Sequence, residues 1–180
     1  MMQNDIEKIL YSEDDIRKVV AELGERITND YMDKNPLFIG VLKGSFVFMA
    51  DLMRSVKTYC DIDFMAVSSY GSGTTSTGTV KITKDLSSDI TGRHVIIIED
   101  ILDSGLTLSY LKKYIEAHSP ASIAICTLLD KPSRRKADIY ADYVGLICPN
   151  AFIVGYGLDY ADRYRNLPYI GVLKPEIYVK

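Results

Sequence analysis

Between positions 99 and 107 the chain reads Glu-Asp-Ile-Leu-Asp-Ser-Gly-Leu-Thr, with Glu99, Asp100 and Asp103 as acids and Ser104 and Thr107 as hydroxyls. Acids this close suit a divalent cation, or a sugar diol that donates two hydrogen bonds. Gly105 lets a ligand approach the backbone closely. Leu108, Leu111, Tyr114 and Ile115 follow at helical spacing, so residues 103–107 stand where a helix begins. The unpaired N–H groups of a first helical turn carry partial positive charge and suit a phosphate. Cation, diol and phosphate together point to a phosphorylated ribose. Two other phosphate loops are excluded, because neither a Walker A pattern nor a Gly-x-Gly-x-x-Gly after a strand is present. The bland alternative is an ordinary turn with Asp103 or Ser104 as N-cap. Three acids at a strand end weigh against it, since α/β sheets bind ligands beyond the carboxyl ends of their strands.

The elements that must position this loop are legible from periodicity. Residues 95–98 are Val-Ile-Ile-Ile, a strand buried on both faces, with Glu99 and Asp100 expected where it ends. Ser12 opens a helix that keeps apolar spacing to Tyr31, with Asp15 as the second half of a capping box and Asn35-Pro36 as the stop. Residues 37–42 form a second buried strand, which runs through Lys43-Gly44-Ser45 into a helix over 46–56. That loop presents backbone N–H groups and one cation to an anion; the plain reading is a tight turn with a solvated lysine. Residues 61–70 alternate like a strand, residues 71–78 are all small and polar, and residues 79–82 resume a strand. A polar hairpin tip with nothing to bury fits a lid that closes on substrate. Residues 123–129 form another strand, ending at Asp130-Lys131-Pro132, and Ser133-Arg134-Arg135-Lys136 reads as a solvated basic turn. Residues 143–147 and 151–156 are short apolar runs, in which Phe152 is a core residue on its own spacing. Residues 169–173 and 177–179 close the chain as edge strands or an extended tail. Strands alternating with helices give an α/β fold with a largely parallel sheet flanked by helices.

The chain of 180 residues fits one domain over 1–180, with 47% hydrophobic and 25% charged residues. A net charge of −3 argues against nucleic acid or an anionic membrane as the main partner. No secretory leader and no membrane-spanning run are expected. Cys60, Cys126 and Cys148 lie in or beside apolar runs without metal-ligand spacing, as buried thiols of a reducing cytoplasm would. His94 and His118 are isolated and read as surface or capping residues.

Over residues 95–108 the chain resembles the phosphoribosyl-pyrophosphate motif of the type I phosphoribosyltransferases. From about residue 37 to 159 and beyond it resembles their hypoxanthine (hypoxanthine-guanine) group, with several separate motifs in the same order. The resemblance implies transfer of a 5-phosphoribosyl group from phosphoribosyl pyrophosphate to N9 of a 6-oxopurine, in purine salvage. It implies that Ser104, Gly105, Leu106 and Thr107 bind the 5-phosphate. Glu99 and Asp100 would hold the ribose hydroxyls, directly or through Mg2+, and Asp159 would anchor a metal. Lys43 and Gly44 resemble the pyrophosphate loop, whose peptide at Lys43 can be cis in the family, and Arg165 resembles its pyrophosphate-binding arginine. Ser69 and Tyr70 match the lid signature, Tyr70 closing over pyrophosphate. Lys131 would donate to the purine 6-oxo group, Phe152 would stack on the purine, and Ile153 would offer its backbone. Asp103 is the candidate base near N7, a role for which burial would have to raise its pKa. The purine-binding parts would form a small hood from the C-terminal part, and a homodimer or homotetramer in the cytoplasm is implied. Two rivals remain: a regulator of the same fold that binds RNA or DNA, which should carry a basic face, and a transferase for another base such as xanthine. Charge, together with Asp103, Lys131 and the lid, counts against the first; Lys131 with Phe152 counts against the second.

Overall fold

The computed structural model describes residues 1–69 and 80–179. Six strands form the main sheet in the order β4-β3-β2-β5-β6-β7: β2 (Leu37–Leu42), β3 (Asp61–Ser69), β4 (Val80–Lys84), β5 (His94–Leu102), β6 (Ser122–Asp130) and β7 (Tyr143–Ile147). All neighbours pair in parallel except β4, which runs antiparallel to β3. The largely parallel sheet and its strand assignments agree with the expectation from periodicity.

Alternation along β5 explains why its run is uniformly apolar. Ile96 and Ile98 face the layer of α1 (Glu13–Asp30) and α2 (Phe46–Ser55), while Val95 and Ile97 face α3 (Leu106–Glu116). All four are fully buried, and each contributes roughly 1.5–3 kcal/mol of transfer free energy. Helix α1 turns Ile16, Val20, Leu23 and Ile27 inward, one residue per turn. Its capping box is complete: Asp15 N–H donates to Ser12 Oγ at 3.2 Å and Ser12 N–H to Asp15 Oδ2 at 2.8 Å.

A second sheet covers one end of the first. Its order is β1-β9-β8, from β1 (Ile6–Tyr11), β8 (Ile153–Val154) and β9 (Ile170–Leu173). This is the expected hood, with three corrections. The N-terminal segment supplies a strand, Ile6 pairing with Leu173 and Tyr11 with Ile170, so the hood is not built from the C-terminal part alone. Residues 170–173 form its central strand, not an edge, because they pair on both sides. The tail beyond is a helical turn, α4 (Pro175–Tyr178), instead of a strand; Pro175 at its first position is preorganised for helix.

Helices α1 and α2 approach closely at Gly24. A Cβ there would lie 2.6 Å from Ser55 Cβ and 2.8 Å from its carbonyl carbon. Thr28, one turn on, donates to Gly24 O at 2.6 Å and accepts from Lys57 N–H at 2.9 Å, sealing the same contact. Gly24→Ala gains about 1 kcal/mol of helix propensity, but the obstacle is backbone, so an overpacking cost of about 1–3 kcal/mol should outweigh it. Urea unfolding of the variant should show a lower midpoint than the parent; an equal or higher one would show that the helices can separate freely.

Candidate active site

Strands β2 and β5 pair from Leu37 opposite Val95 to Gly40 opposite Ile98, and then part. Beyond that point β2 continues on β3 through Val41 and Leu42, and β5 continues on β6 through Glu99, Ile101 and Leu102. The chain leaves β2 toward one edge of the sheet and β5 toward the other. The parting is therefore the topological switch point at which open α/β sheets bind ligands. A cavity of about 210 Å³ occupies it, lined by Val41, Leu42, Glu99, Asp100 and the turn at Asp103, Ser104, Gly105 and Thr107. The sequence predicts that the strand ends at Glu99 and Asp100; instead β5 runs on to Leu102 and both acids lie inside it.

Of these two adjacent acids Asp100 is buried and Glu99 partly so. Burial, reinforced by the neighbouring Asp100 charge, pushes the Glu99 carboxyl well above the ordinary carboxylate range; burial also raises Asp100. Glu99 Oε2 is sealed from solvent without a hydrogen-bond partner. Asp100 lies against Gly44, where a Cβ would sit 1.8 Å from Asp100 Oδ2, so the loop after β2 must carry glycine to close over the carboxylate. The peptide Leu42–Lys43 is cis, the isomer the resemblance allowed.

The turn after β5 ends in Gly105, at φ +78°, which is the N-cap of α3. Neither Asp103 nor Ser104 stands at the N-cap position, although Leu106 N–H donates to Ser104 Oγ at 3.4 Å. The left-handed backbone favours glycine there, and a Cβ would also lie 2.6 Å from Ile139 Cγ2. The first-turn N–H groups of α3 lack intrahelical acceptors. Leu106, at the first helical position, is partly exposed.

A second cavity, of about 380 Å³, opens on the other side of the same turn. Ile101, Asp103, Lys131, Ala151, Phe152, Ile153 and Asp159 are among its walls. Lys131 is buried, and its Nζ donates to Ala151 O at 2.7 Å. Asp103 lines both cavities. Its Oδ1 accepts no hydrogen bond and has Arg134 Nε at 3.4 Å.

Lys43 and Arg165 lie in neither cavity. Lys43 Nζ meets Asp162 Oδ1 at 3.1 Å, and Arg165 meets Asp159 at 2.8 Å and Asp162 at 3.3 Å. Among the described residues, no three His, Cys, Asp or Glu side chains meet at metal-ligand spacing, so Glu99, Asp100 and Asp159 do not form one ligand set. The donor set still fits magnesium, a hard cation held through one or two carboxylates plus substrate oxygens, and the unpartnered Glu99 oxygen faces that need. Tyr70 and residues 71–79 of the expected lid lie outside the described residues, as does the Ser69 side chain.

Sequence reasoning missed Asp162, Ile101 and Arg135. Arg135 was read as part of a solvated turn, yet its side chain is 13% exposed and pairs with Asp130. It donates from Nε to Asp103 O at 3.0 Å and from its other nitrogens to Leu102 O at 3.2 Å and Ile139 O at 2.7 Å. Backbone N–H groups of Lys136 and Ala137 hold Ser104 O at 2.9 and 3.1 Å. Three of the arginine's partners are carbonyls, which leave no mark in a sequence.

A phosphoribosyl transferase domain model matches residues 5–161. The hypoxanthine-guanine phosphoribosyltransferase of Bacillus subtilis is 62% identical over 178 residues, 99% of each chain, and that of Streptococcus pyogenes 57% over the full length of both. A crystal structure of a hypoxanthine phosphoribosyltransferase from Staphylococcus aureus superposes with a TM-score of 0.96 at 52% identity, covering 99% of this chain and 97% of that one. The chain belongs to the type I phosphoribosyltransferase family, in its hypoxanthine-guanine group.

Two variants test the construction of this site. The raised Glu99 pKa means the folded state holds that proton more tightly than the unfolded chain does. Its contribution to stability is thus present below the ordinary value of 4.5 and lost as pH rises through the raised one. Melting of metal-free protein should show Glu99→Gln and parent alike at low pH, with the parent falling progressively behind as pH rises. Parallel curves would mean that the carboxylate is not desolvated. Arg135→Met leaves the half-buried Asp130 without its partner and frees three carbonyls, and should cost about 1–3 kcal/mol in urea unfolding; a loss near zero would mean the tie is solvated.

Proposed function

We propose that the two cavities hold the two halves of one transfer reaction, phosphoribosyl pyrophosphate at the parting of β2 and β5 and a 6-oxopurine under the hood. The observation that carries this reading is Asp103, which borders both. The 5-phosphate would accept from the first-turn N–H groups of α3 and from the hydroxyls of Ser104 and Thr107, with Gly105 and Leu106 supplying backbone. Glu99 and Asp100 would accept from the ribose hydroxyls. Magnesium, held by these acids or by Asp159 together with substrate oxygens, would supply charge neutralisation for the pyrophosphate.

In the reaction the bond from ribose C1 to pyrophosphate breaks and the bond from C1 to purine N9 forms, through an oxocarbenium-like state. The negative charge that builds on the leaving group would be met by Lys43, by the Gly44 loop and by Arg165, which exchange their present carboxylate partners for phosphate oxygens. The proton the purine must lose would pass from N7 to Asp103. Lys131, fixed by Ala151 O, has N–H groups left for the 6-oxo oxygen; an adenine amino group there would set donor against donor and leave those remaining N–H groups without an acceptor. Phe152 would stack on the purine, Ile153 would offer its backbone, and Ile101 closes the facing wall. Ser69 and Tyr70 would shield the pyrophosphate.

The whole chain is read as one domain, because one apolar cluster joins α1 and α2 to Ile153, Ile170 and Val172 of the hood. The reading also takes the protein to be cytoplasmic, consistent with three free thiols, and a homodimer or homotetramer. No helix among the described residues is long and apolar enough to cross a membrane.

Incubation with phosphoribosyl pyrophosphate, magnesium and each purine in turn should yield nucleotide from hypoxanthine and guanine and not from adenine. Asp103→Asn should lower kcat about 100- to 10,000-fold while leaving the affinity for phosphoribosyl pyrophosphate within about twofold. Unchanged turnover in that variant would remove Asp103 from proton transfer, and absence of nucleotide from the parent would remove the reading itself.

A further inference from the structure

One aromatic side chain on the wall of the base cavity has no part in the reaction above. Tyr178, the last residue of α4, lines that cavity together with Phe152, Asp103 and Lys131. Its ring stacks on Phe152, with centroids 4.6 Å apart and planes 20° from parallel. Tyr160 meets both rings edge-on, 5.5 Å and 88° from Phe152 and 6.5 Å and 68° from Tyr178.

Offset stacking and edge-to-face contact are the arrangements that aromatic quadrupoles favour, so the three rings constrain one another. The need for such a constraint is visible in Phe152 itself. It sits on the irregular segment just before β8 and is 36% exposed. A ring in that position, free to turn, would lose rotamer entropy each time it aligned on a planar ligand.

Tyr178 can supply the constraint because it is anchored. Leu173 N–H donates to Phe152 O at 2.9 Å, and Lys174 N–H donates to Asp5 O at 2.9 Å, which fixes the start of α4. Tyr178 packs with Ile177 and Tyr160 against the buried cluster of Val154, Tyr164, Leu167 and Leu173. The cavity keeps about 380 Å³ with the tyrosine in place, so the tyrosine does not fill the space a purine would need.

We propose that Tyr178 is a positioning residue of the base site. It covers one face of Phe152 and holds that ring in the plane in which the opposite face receives the purine, so the C-terminal turn sets part of the affinity for the base. This rests on the reading of Phe152 as the stacking residue.

The test is steady-state kinetics on full-length Tyr178→Ala and Tyr178→Phe beside the parent, varying hypoxanthine at saturating phosphoribosyl pyrophosphate and then the reverse. Tyr178→Ala should raise the KM for hypoxanthine about three- to tenfold. Its kcat and its KM for phosphoribosyl pyrophosphate should stay within about twofold, and Tyr178→Phe should restore the parental value. An unchanged hypoxanthine KM in an active Tyr178→Ala protein overturns the proposal. So does a lower one, which would mark the tyrosine as a competitor for the base, and so does an equal rise in both KM values. If the alanine variant does not fold, Tyr178→Leu, which keeps apolar bulk without a ring, is judged by the same criteria. A parent that forms no nucleotide would overturn the reading of the site, and this proposal with it.

Discussion

Two parallel strands stop hydrogen bonding to each other after Gly40 and Ile98, and the rest of the structure answers to that parting. Where they separate, backbone that a closed sheet would bury must line a cavity. The lining is set by which residues each strand carries past the break. On β5 these are Glu99 and Asp100, whose charges an apolar sheet interior would not tolerate. On the β2 side the space beside them is left by Gly44, whose missing side chain admits the Asp100 carboxylate. Gly157 then stacks on the outside of that loop, at φ +99°, where a Cβ would lie 2.2 Å from Gly44 O. Asp100, Gly44 and Gly157 thus form one layered contact from sheet to hood, and at its two glycines a side chain would force the layers apart.

The parting also explains why the turn after β5 is held so heavily from behind. A loop at a gap has no neighbouring strand to brace it, and the bracing comes instead from the segment after β6. Lys131 N–H donates to Leu102 O at 3.0 Å, Arg135 grips the carbonyls of Leu102 and Asp103, and the backbone of Lys136 and Ala137 takes Ser104 O. Lys131, just past β6, is tied to Leu102 at the end of β5 by a main-chain bond, which fixes the lysine relative to the turn. Pre-organisation of this kind limits the reorganisation needed when substrate arrives.

Legibility from sequence divides along the same line. Elements that bury an apolar face were readable, because burial writes a period into the chain: β5 through Val95 to Ile98, α1 through Ile16, Val20, Leu23 and Ile27. The acid–hydroxyl–glycine turn was readable as well, because its residue types have few other uses together. Three things were not. The first strand, Ile6–Tyr11, has an exposed middle at Glu7, Lys8 and Ile9 and finds its partner at the far end of the chain. The extension of β5 through Glu99 to Leu102 is stabilised by pairing with β6 and not by any apolar pattern of its own. The turns around Asp162 depend on positive φ angles at Ala161, Asp162 and Tyr164, which non-glycine residues seldom adopt and which no spacing rule anticipates. The family resemblance brought in Lys131, Phe152 and Arg165, whose roles no periodicity could have suggested.

A chain of net charge −3 that binds a highly anionic substrate must rely on local fields, and the ion pairs show how that is arranged. Lys43 and Asp162 are each about 70% exposed, so their attraction is screened by water and contributes little to the fold. Arg165 is 21% exposed and is shared between Asp159 and Asp162, with its other terminal nitrogen on Gly157 O at 2.7 Å. Lys43 is therefore oriented by a carboxylate it holds only weakly, whereas Arg165 has a firmer partner in Asp159 at 2.8 Å and a backbone bond to Gly157 that fixes the guanidinium independently of either carboxylate. On the proposed reading an entering pyrophosphate, with more charge than a carboxylate and several oxygens to offer, would compete at Lys43 against a solvent-screened pair and at Arg165 against a partly shielded one. In the proposed reaction the same balance would work in reverse: Asp159 and Asp162 remain beside the cations and would take them back as the anionic product leaves.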